Sequence, residues 1–323
     1  MKKRLYRILC VLLCAAVALA FVCGVSVWRS YNVLTVNTVE LQCEVSFRAV
    51  FIADLHSHSF GEGNAELLSE IQSAEPEYIF MGGDMLNGES EGHGELISFV
   101  SAACEIAPVY YALGNHELDY MELHGDAILS DIEAAGATVL ENDYVDLDCG
   151  VRLGGMYGYA FALNGYNTVE PERMDGEVYG FLTDFCDTES YKLLICHRPD
   201  SFVLGQAPYV WDVDTVLSGH VHGGQIVVPF MGGLWAPDQG FFPEYDHGYY
   251  EVGRIGMYIT GGLGAGPQFI PRMNNLPEIV VLEFGQGTGG YHPPENERFD
   301  VLNLMRRTSN YVAFPWGKVD LTL

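Results

Sequence analysis

The sequence predicts an α/β protein built around a largely parallel sheet, on three observations. Short apolar runs with β character alternate with segments whose apolar residues recur at helical spacing, the pattern of strand–helix–strand crossovers. Polar blocks rich in Asp, His, Asn and Gly follow directly on several of those runs, where open α/β folds place their sites. With 49% apolar residues, a chain of 323 residues can bury one large core or two modest ones.

The first thirty residues stand apart. Lys2, Lys3, Arg4 and Arg7 precede an uncharged apolar run over residues 8–28, which as a helix reaches roughly 30 Å and crosses a bilayer. Residues 1–29 therefore read as an N-terminal membrane anchor. Basic residues ahead of the run, against Arg29 alone just after it, place the amino terminus in the cytoplasm and the remainder outside. A cleavable signal peptide leading to a secreted protein is the competitor, since Ala18-Leu19-Ala20 resembles a small-residue cleavage site. The anchor is preferred because the apolar run continues past Ala20. Residues 30–46 read as a tether or an early edge strand.

Residues 47–284 read as one globular domain. Residues 47–53 form a compact β run that delivers Asp54. Leu67, Leu68, Ile71 and Ala74 fall at helical spacing before Pro76 forbids continuation, so residues 65–74 form a helix. Residues 78–81 are the next strand and stop at Gly82-Gly83-Asp84. A helix around 95–105, a strand over 109–113 and a helix from about 120 to 135, ending near Gly136, continue the alternation. From 138 to 160 the pattern changes to short β runs joined by Asp148-Cys149-Gly150 and Gly154-Gly155, and hairpins are expected. Strands over 192–196 and 213–217 lead to His197 and to Gly219-His220. Segments 225–228, 248–252, 257–260 and 278–284 complete a β-rich portion. Residues 285–323 are a C-terminal extension of no legible role, whose Tyr311, Phe314 and Trp316 suggest docking.

Composition narrows the partners. Five of the sixteen basic residues lie in the leader, which has no acid, so the rest carries 43 acids against 11 bases. A field of this sign repels nucleic acid and gives no electrostatic help toward anionic lipid. Of eight cysteines, Cys10, Cys14 and Cys23 lie in the leader, and the other five show no paired spacing, so no disulfide framework is expected. Cys104 and Cys196 read as small buried hydrophobes.

The chemistry is carried by Asp54-Leu55-His56, Gly83-Asp84, Gly114-Asn115-His116-Glu117, His197 and Gly219-His220-Val221-His222. Asp54 and His56, two apart at a predicted strand end, point the same way and can grip one cation. Asp84 follows a glycine that lets the backbone turn sharply, and its two oxygens can bridge two cations. Asn115 offers an amide oxygen, and His197, His220 and His222 offer imidazole nitrogens. This mixed set suits Mn, Fe or Zn better than Ca. The Gly-rich loop over 87–94 reads as an ordinary solvated loop, with a border of the substrate pocket as the alternative, and His93, His124 and His247 as surface or loop residues.

In this order, D-x-H, G-D, G-N-H-E, a lone His and G-H-x-H, the blocks resemble the calcineurin-like metallophosphoesterases. The run from Gly219 to Gln225, with Gly261-Gly262-Leu263-Gly264 and Arg272 to Glu278, is similar to the membrane-anchored bacterial, phosphodiesterase-like branch of that family. The resemblance implies a four-layer α/β/β/α sandwich of two mixed sheets flanked by helices. It implies two divalent ions, one on Asp54, His56, Asp84 and His222, the other on Asp84, Asn115, His197 and His220. It implies a phosphomonoester or phosphodiester substrate cleaved in line by a hydroxide shared between the ions. Phosphoesters of the cell envelope or carried on lipid fit the anchor. His116 is then the catalytic group that faces the substrate and steadies the transition state or protonates the leaving oxygen. Glu117 sits behind the ligands and orients a neighbouring His.

Two other readings use the same residues. Asp54-Leu55-His56-Ser57-His58 also fits the D-x-H-x-H start of barrel-type metal hydrolases, which leaves Gly114 to Glu117 and Gly219 to Gln225 unexplained. An inactive surface binding protein with the same fold is the other, and every ligand position being filled argues against it.

Overall fold

Strand alternation sorts the apolar residues of this chain onto the two sides of two sheets. The computed structural model describes residues 2–157, 160, 173–203, 205–266, 270–286, 290–292, 312–314 and 317–319. Helix α1 (Lys2–Asn32) leads into β1 (Thr35–Gln42) and β2 (Phe47–Ile52). The alternation then runs α2 (Ala65–Ser73), β3 (Tyr78–Met81), α3 (Gly94–Cys104), β4 (Val109–Ala112), α4 (Asn115–His124), α5 (Ala127–Ala134) and β5 (Thr138–Leu140). A second stretch comprises β6 (Asp143–Asp146), β7 (Val151–Met156), α6 (Gly176–Cys186), β8 (Tyr191–Cys196), α7 (Asp200–Val203), α8 (Ala207–Val210) and β9 (Thr215–Ser218). Four two-residue strands follow, β10 (Val227–Val228), β11 (Gly232–Gly233), β12 (Trp235–Ala236) and β13 (Gly240–Phe241). The described chain closes with β14 (Gly248–Val252), β15 (Ile255–Ile259), β16 (Glu278–Gly285), β17 (Gly290–His292), β18 (Val312–Phe314) and β19 (Gly317–Val319).

One sheet has the order β17-β1-β16-β2-β3-β4-β5 and the other β14-β15-β9-β8-β7-β6. Both are mixed, with a parallel run of β2 to β5 in the first and of β15, β9, β8 and β7 in the second. The period of two is visible residue by residue. Ala49 and Phe51 of β2 join Leu193 and Ile195 of β8 in the core between the sheets. Val50 and Ile52 face outward onto Leu67, Ile71, Phe99, Val100, Ile128 and Ile132 of α2, α3 and α5. Leu194 and Cys196 face the opposite way onto Phe181, Leu182 and Phe185 of α6. The result is the four-layer α/β/β/α order.

Three expectations are corrected. Of the two readings of residues 30–46, a tether or an early edge strand, the strand is the one found, but not at an edge: β1 pairs along its length with β16, in parallel, and on its other side with β17, burying Val39 and Leu41. The helix expected over 120–135 is two, because Gly125, at φ 83°, breaks it, and the first begins at Asn115. The C-terminal extension supplies β17, which pairs antiparallel with β1, and a hairpin of β18 with β19. Tyr311 and Trp316 lie outside the described residues. None of the eight cysteines, all among the described residues, forms a disulfide, and Cys43 is more deeply buried than Cys104.

Helix α1 is long and apolar enough to cross a membrane, a test that an N-terminal signal sequence also passes. Its last turns dock onto the domain. Ser30 is buried, and the Ser26 and Ser30 hydroxyls accept the backbone N–H groups of Asn274 and Asn275 at 2.9 and 3.1 Å.

Candidate metal centre

The site lies just beyond the ends of β2, β3, β4, β8 and β9, where the chain leaves the pleat. Asp54, His56, Asp84, His220 and His222 have φ of 55°, 52°, 53°, 70° and 50°. Left-handed backbone at five non-glycine residues stores strain that the surroundings must hold, a recurrent property of functional sites. The common aim of Asp54 and His56 therefore comes from these loop conformations, not from strand alternation as the sequence suggested. Backbone bonds clamp the two loops: Asp54 N–H donates to Gly83 O at 2.9 Å and His56 N–H to Asp84 O at 3.0 Å. Gly83, at φ 88°, has no room for a Cβ against the Gly114 backbone, and a Cβ on Gly114 would run into Asp84 Oδ1. These two glycines let the third and fourth strands' loops touch.

Six of the seven expected ligands fall into two groups. Asp54, His56 and His222 bring ligand atoms within 4.8 Å of one another, as do Asp84, His197 and His220. Within the first group the Nε2 atoms of His56 and His222 face each other at 3.3 Å, with Asp54 Oδ1 at 4.0 and 3.9 Å. Asp84 stands between the groups: its Oδ1 accepts the His116 N–H at 2.8 Å, while Oδ2 meets only imidazoles, His197 Nε2 at 3.1 Å and His56 and His116 Nε2 at 3.9 and 4.0 Å. Asn115 Oδ1 and His222 Nδ1 are buried without a hydrogen-bond partner. Lone pairs buried this way carry a desolvation penalty that a cation removes, so the donor set fits divalent metal.

Three of the four histidines are turned by a second contact. His56 Nδ1 meets Asn87 Oδ1 at 3.0 Å, His197 Nδ1 donates to Gly82 O at 2.7 Å, and His220 Nε2 meets Asp238 Oδ2 at 3.2 Å, which leaves Nδ1 of His220 for the centre. His116 Nδ1 accepts the Gly88 N–H at 3.1 Å, so its proton resides on Nε2, toward Asp84 and the cleft. Asn87 and Gly88 thus give the loop read as merely solvated a share in the site. Glu117 is corrected too. Fully buried, it orients no histidine but accepts N–H bonds from Asp84, Met85 and Gly114 and the Tyr111 hydroxyl, each at 2.8 Å.

Charge follows burial. Desolvation holds His56 down to about 4 and also lowers His220 and His222, so these imidazoles are neutral and ready to ligate. Burial alone would raise Asp84 and lower His197, but each other's charge reverses both, keeping Asp84 ionised and His197 protonated until a cation replaces that proton. Burial raises Asp54.

The other histidines lie elsewhere. His58 turns away, Nε2 donating to Tyr31 O at 2.7 Å. His93 bridges Tyr120 and Asp131. His247, given no role from sequence, pairs with buried Glu278 at 2.9 Å. Glu278 also accepts from Asn37, Tyr258, Thr260 and the Gly261 N–H. Fully buried Arg272 binds the carbonyls of Gly262, Gly264, Asn275 and Leu276 at 2.8–3.0 Å, fixing the loop that lies against Asp54. No spacing in the sequence announces these two clusters.

Two sheets in four layers, with an Asp, Asn and His site beyond their strand ends, define a metallophosphoesterase architecture. The chain belongs to the calcineurin-like phosphoesterase family, whose sequence model matches residues 47–224. It is 28% identical over 243 residues to the phosphodiesterase YaeI of Escherichia coli, covering 73% of this chain and 82% of that one. It is 27% identical over 250 residues to the uncharacterized metallophosphoesterase YkuE of Bacillus subtilis, covering 73% and 78%. A solved structure, TT1561 of Thermus thermophilus, aligns over 67% of this chain and 90% of that one at 12% identity and a TM-score of 0.42.

Proposed function

We propose that this protein is a hydrolase of phosphoric esters that works with two divalent ions. Asp54, His56 and His222 hold one ion, Asn115, His197 and His220 the other, and Asp84 serves both. The observation that carries this reading is the set of buried ligand atoms without hydrogen-bond partners, Asp84 Oδ2, Asn115 Oδ1 and His197 Nε2 among them. When bound, such a pair of ions neutralises phosphoryl charge and lowers the pKa of the attacking water.

The chain's own groups do the rest. His116 offers Nε2–H at the mouth, 23% exposed, to a phosphoryl or leaving oxygen. Glu117 holds the Asp84 and Gly114 loops in register, so the ligand atoms are in place before substrate arrives. The name of the Escherichia coli relative, a phosphodiesterase, supports a diester. The apolar run continuing past Ala20 supports an uncleaved anchor, and the charge bias around it supports a catalytic domain outside the cytoplasm, where phosphoesters of the cell envelope are within reach.

The test is hydrolysis of an aryl phosphodiester and an aryl phosphomonoester by the metal-loaded full chain, with and without chelator. Turnover that chelation stops and Mn, Fe or Zn restores is the expected result. Turnover indifferent to chelation contradicts the reading.

A further inference from the structure

The segment between β9 and β14 joins an exposed apolar rim, a contact to the metal centre and the end of α1. Outside α1, the described residues expose seven large apolar side chains, and four of them, Phe230, Met231, Phe241 and Phe242, fall within residues 230–242. Phe230 and Met231 form the tip of the β10–β11 ribbon, and Phe241 and Phe242 end the β12–β13 ribbon, tied to it by the Phe242 N–H on Leu234 O at 2.8 Å. Between the pairs sits Asp238, whose carboxylate contacts the ligand His220.

The same segment is joined to the end of α1. Asn274 donates its side-chain N–H to Val227 O, at the root of the β10–β11 ribbon, at 3.1 Å, and its backbone N–H to Ser26 Oγ at 2.9 Å. Ser26 lies inside the apolar run of residues 8–28, so the domain meets the helix before that run ends. Cys23, Ser26, Val27 and Ser30, one face at helical spacing, are shielded, while Phe21, Val22, Val25 and Trp28 stay exposed. One residue on, Asn275 donates its N–H to Ser30 Oγ and its side chain to the carbonyl of His222 at 2.6 Å. A helix docked at this depth sets the ribbons at the level where its apolar run leaves the hydrocarbon.

From this placement we propose that Phe230, Met231, Phe241 and Phe242 seat in the headgroup layer of the bilayer that α1 spans, so that the metal centre opens onto the membrane surface and takes a phosphoester carried on an amphiphile. The proposal rests on reading α1 as an uncleaved span and on the phosphoesterase reading, and it narrows the substrate class of that site. The occupant is lipid because the ribbon that carries Phe230 and Met231 is joined at its root, through Asn274, to the helix that spans the bilayer. The domain's large excess of acids rules out attachment through basic residues, and insertion of aromatic side chains needs none.

The test uses the full chain in phosphatidylcholine vesicles. In Phe230→Trp and Phe241→Trp, the emission gained over the parent is expected to be blue-shifted, and to be quenched by about half or more when the lipid is brominated near the headgroup. Added tryptophans that emit as in water and escape quenching, while the parent's Trp28 is quenched, overturn the proposal, leaving a protein partner or solvent as the occupant. A chain that matures by losing α1 overturns it as well. Chelator-sensitive hydrolysis of a soluble aryl phosphodiester is followed in the same vesicles: its absence counts against the catalytic reading and leaves the quenching result standing.

Discussion

His56 and His220 each present one nitrogen to the centre because a neighbour takes the other, Asn87 in one case and Asp238 in the other. Such orienting partners typically change metal affinity by about 10–100-fold when removed. Asn87→Ala and Asp238→Asn are therefore expected to weaken metal binding by that order in a competition titration, with the fold intact by circular dichroism; unchanged affinity contradicts the orienting role. Asp84→Ala is expected to lose both ions and turnover together. His116→Ala should retain metal while its rate falls by about 10²–10⁴, and a variant with undiminished turnover removes His116 from the reaction. The candidate ligands were legible because Asp, His and Asn stand beside glycines at the ends of readable strands. Asn87 and Asp238 were not, since a lone Asn or Asp in a polar loop has no periodicity and acquires its role only through the fold.

Strand-end loops, rather than strands, carry the site, and they are held by buried carboxylates. Glu117 ties the loops after β3 and β4, and Glu117→Ala leaves three backbone N–H groups without their acceptor, a loss of about 3 kcal/mol or more. Thermal unfolding checks this, with metal content expected to fall in parallel. Glu278 does the same for the β15–β16 connection. Burial alone would raise it, but His247 and the donors around it pull it below the ordinary carboxylate range. A carboxylate depressed in the folded state contributes stability above its unfolded pKa, near 4.5, and that stability is lost as pH falls toward the folded value. Acid titration of unfolding should therefore show a component below about pH 4.5 that Glu278→Gln lacks. An identical acid profile in the variant contradicts this. Most strands and helices were legible from apolar spacing. The exceptions have physical reasons: β1 reads as polar because one face lies against solvent, and the helix break at Gly125 has no proline to mark it.

At the scale of the whole molecule, two sheets share one core, and the centre sits where loops from both meet, Asp54 and Asp84 from one sheet and His197 and His220 from the other. Ions bound there cross-link the halves and, because unfolded chain lacks the site, stabilise the fold by about 2.7 kcal/mol at a hundredfold excess over Kd. Unfolding temperature should rise with added Mn or Zn and return on chelation, and Asp84→Ala should remove the response. Binding also displaces the proton that His197 holds against Asp84, so affinity should increase with pH, seen by calorimetry as proton uptake by the buffer. The sandwich and its ligands followed from resemblance in the sequence, whereas the docking of α1 beside the centre did not. It depends on Ser26 meeting Asn274 and Ser30 meeting Asn275, ordinary residues 248 and 245 positions apart.

The most direct test of the central claim is the stoichiometry of transition metal in the active full chain, by elemental analysis of protein whose phosphodiesterase turnover is measured on the same sample. Two ions per chain, falling with turnover in Asp84→Ala, is the predicted result. A fully active chain carrying no transition metal would contradict it.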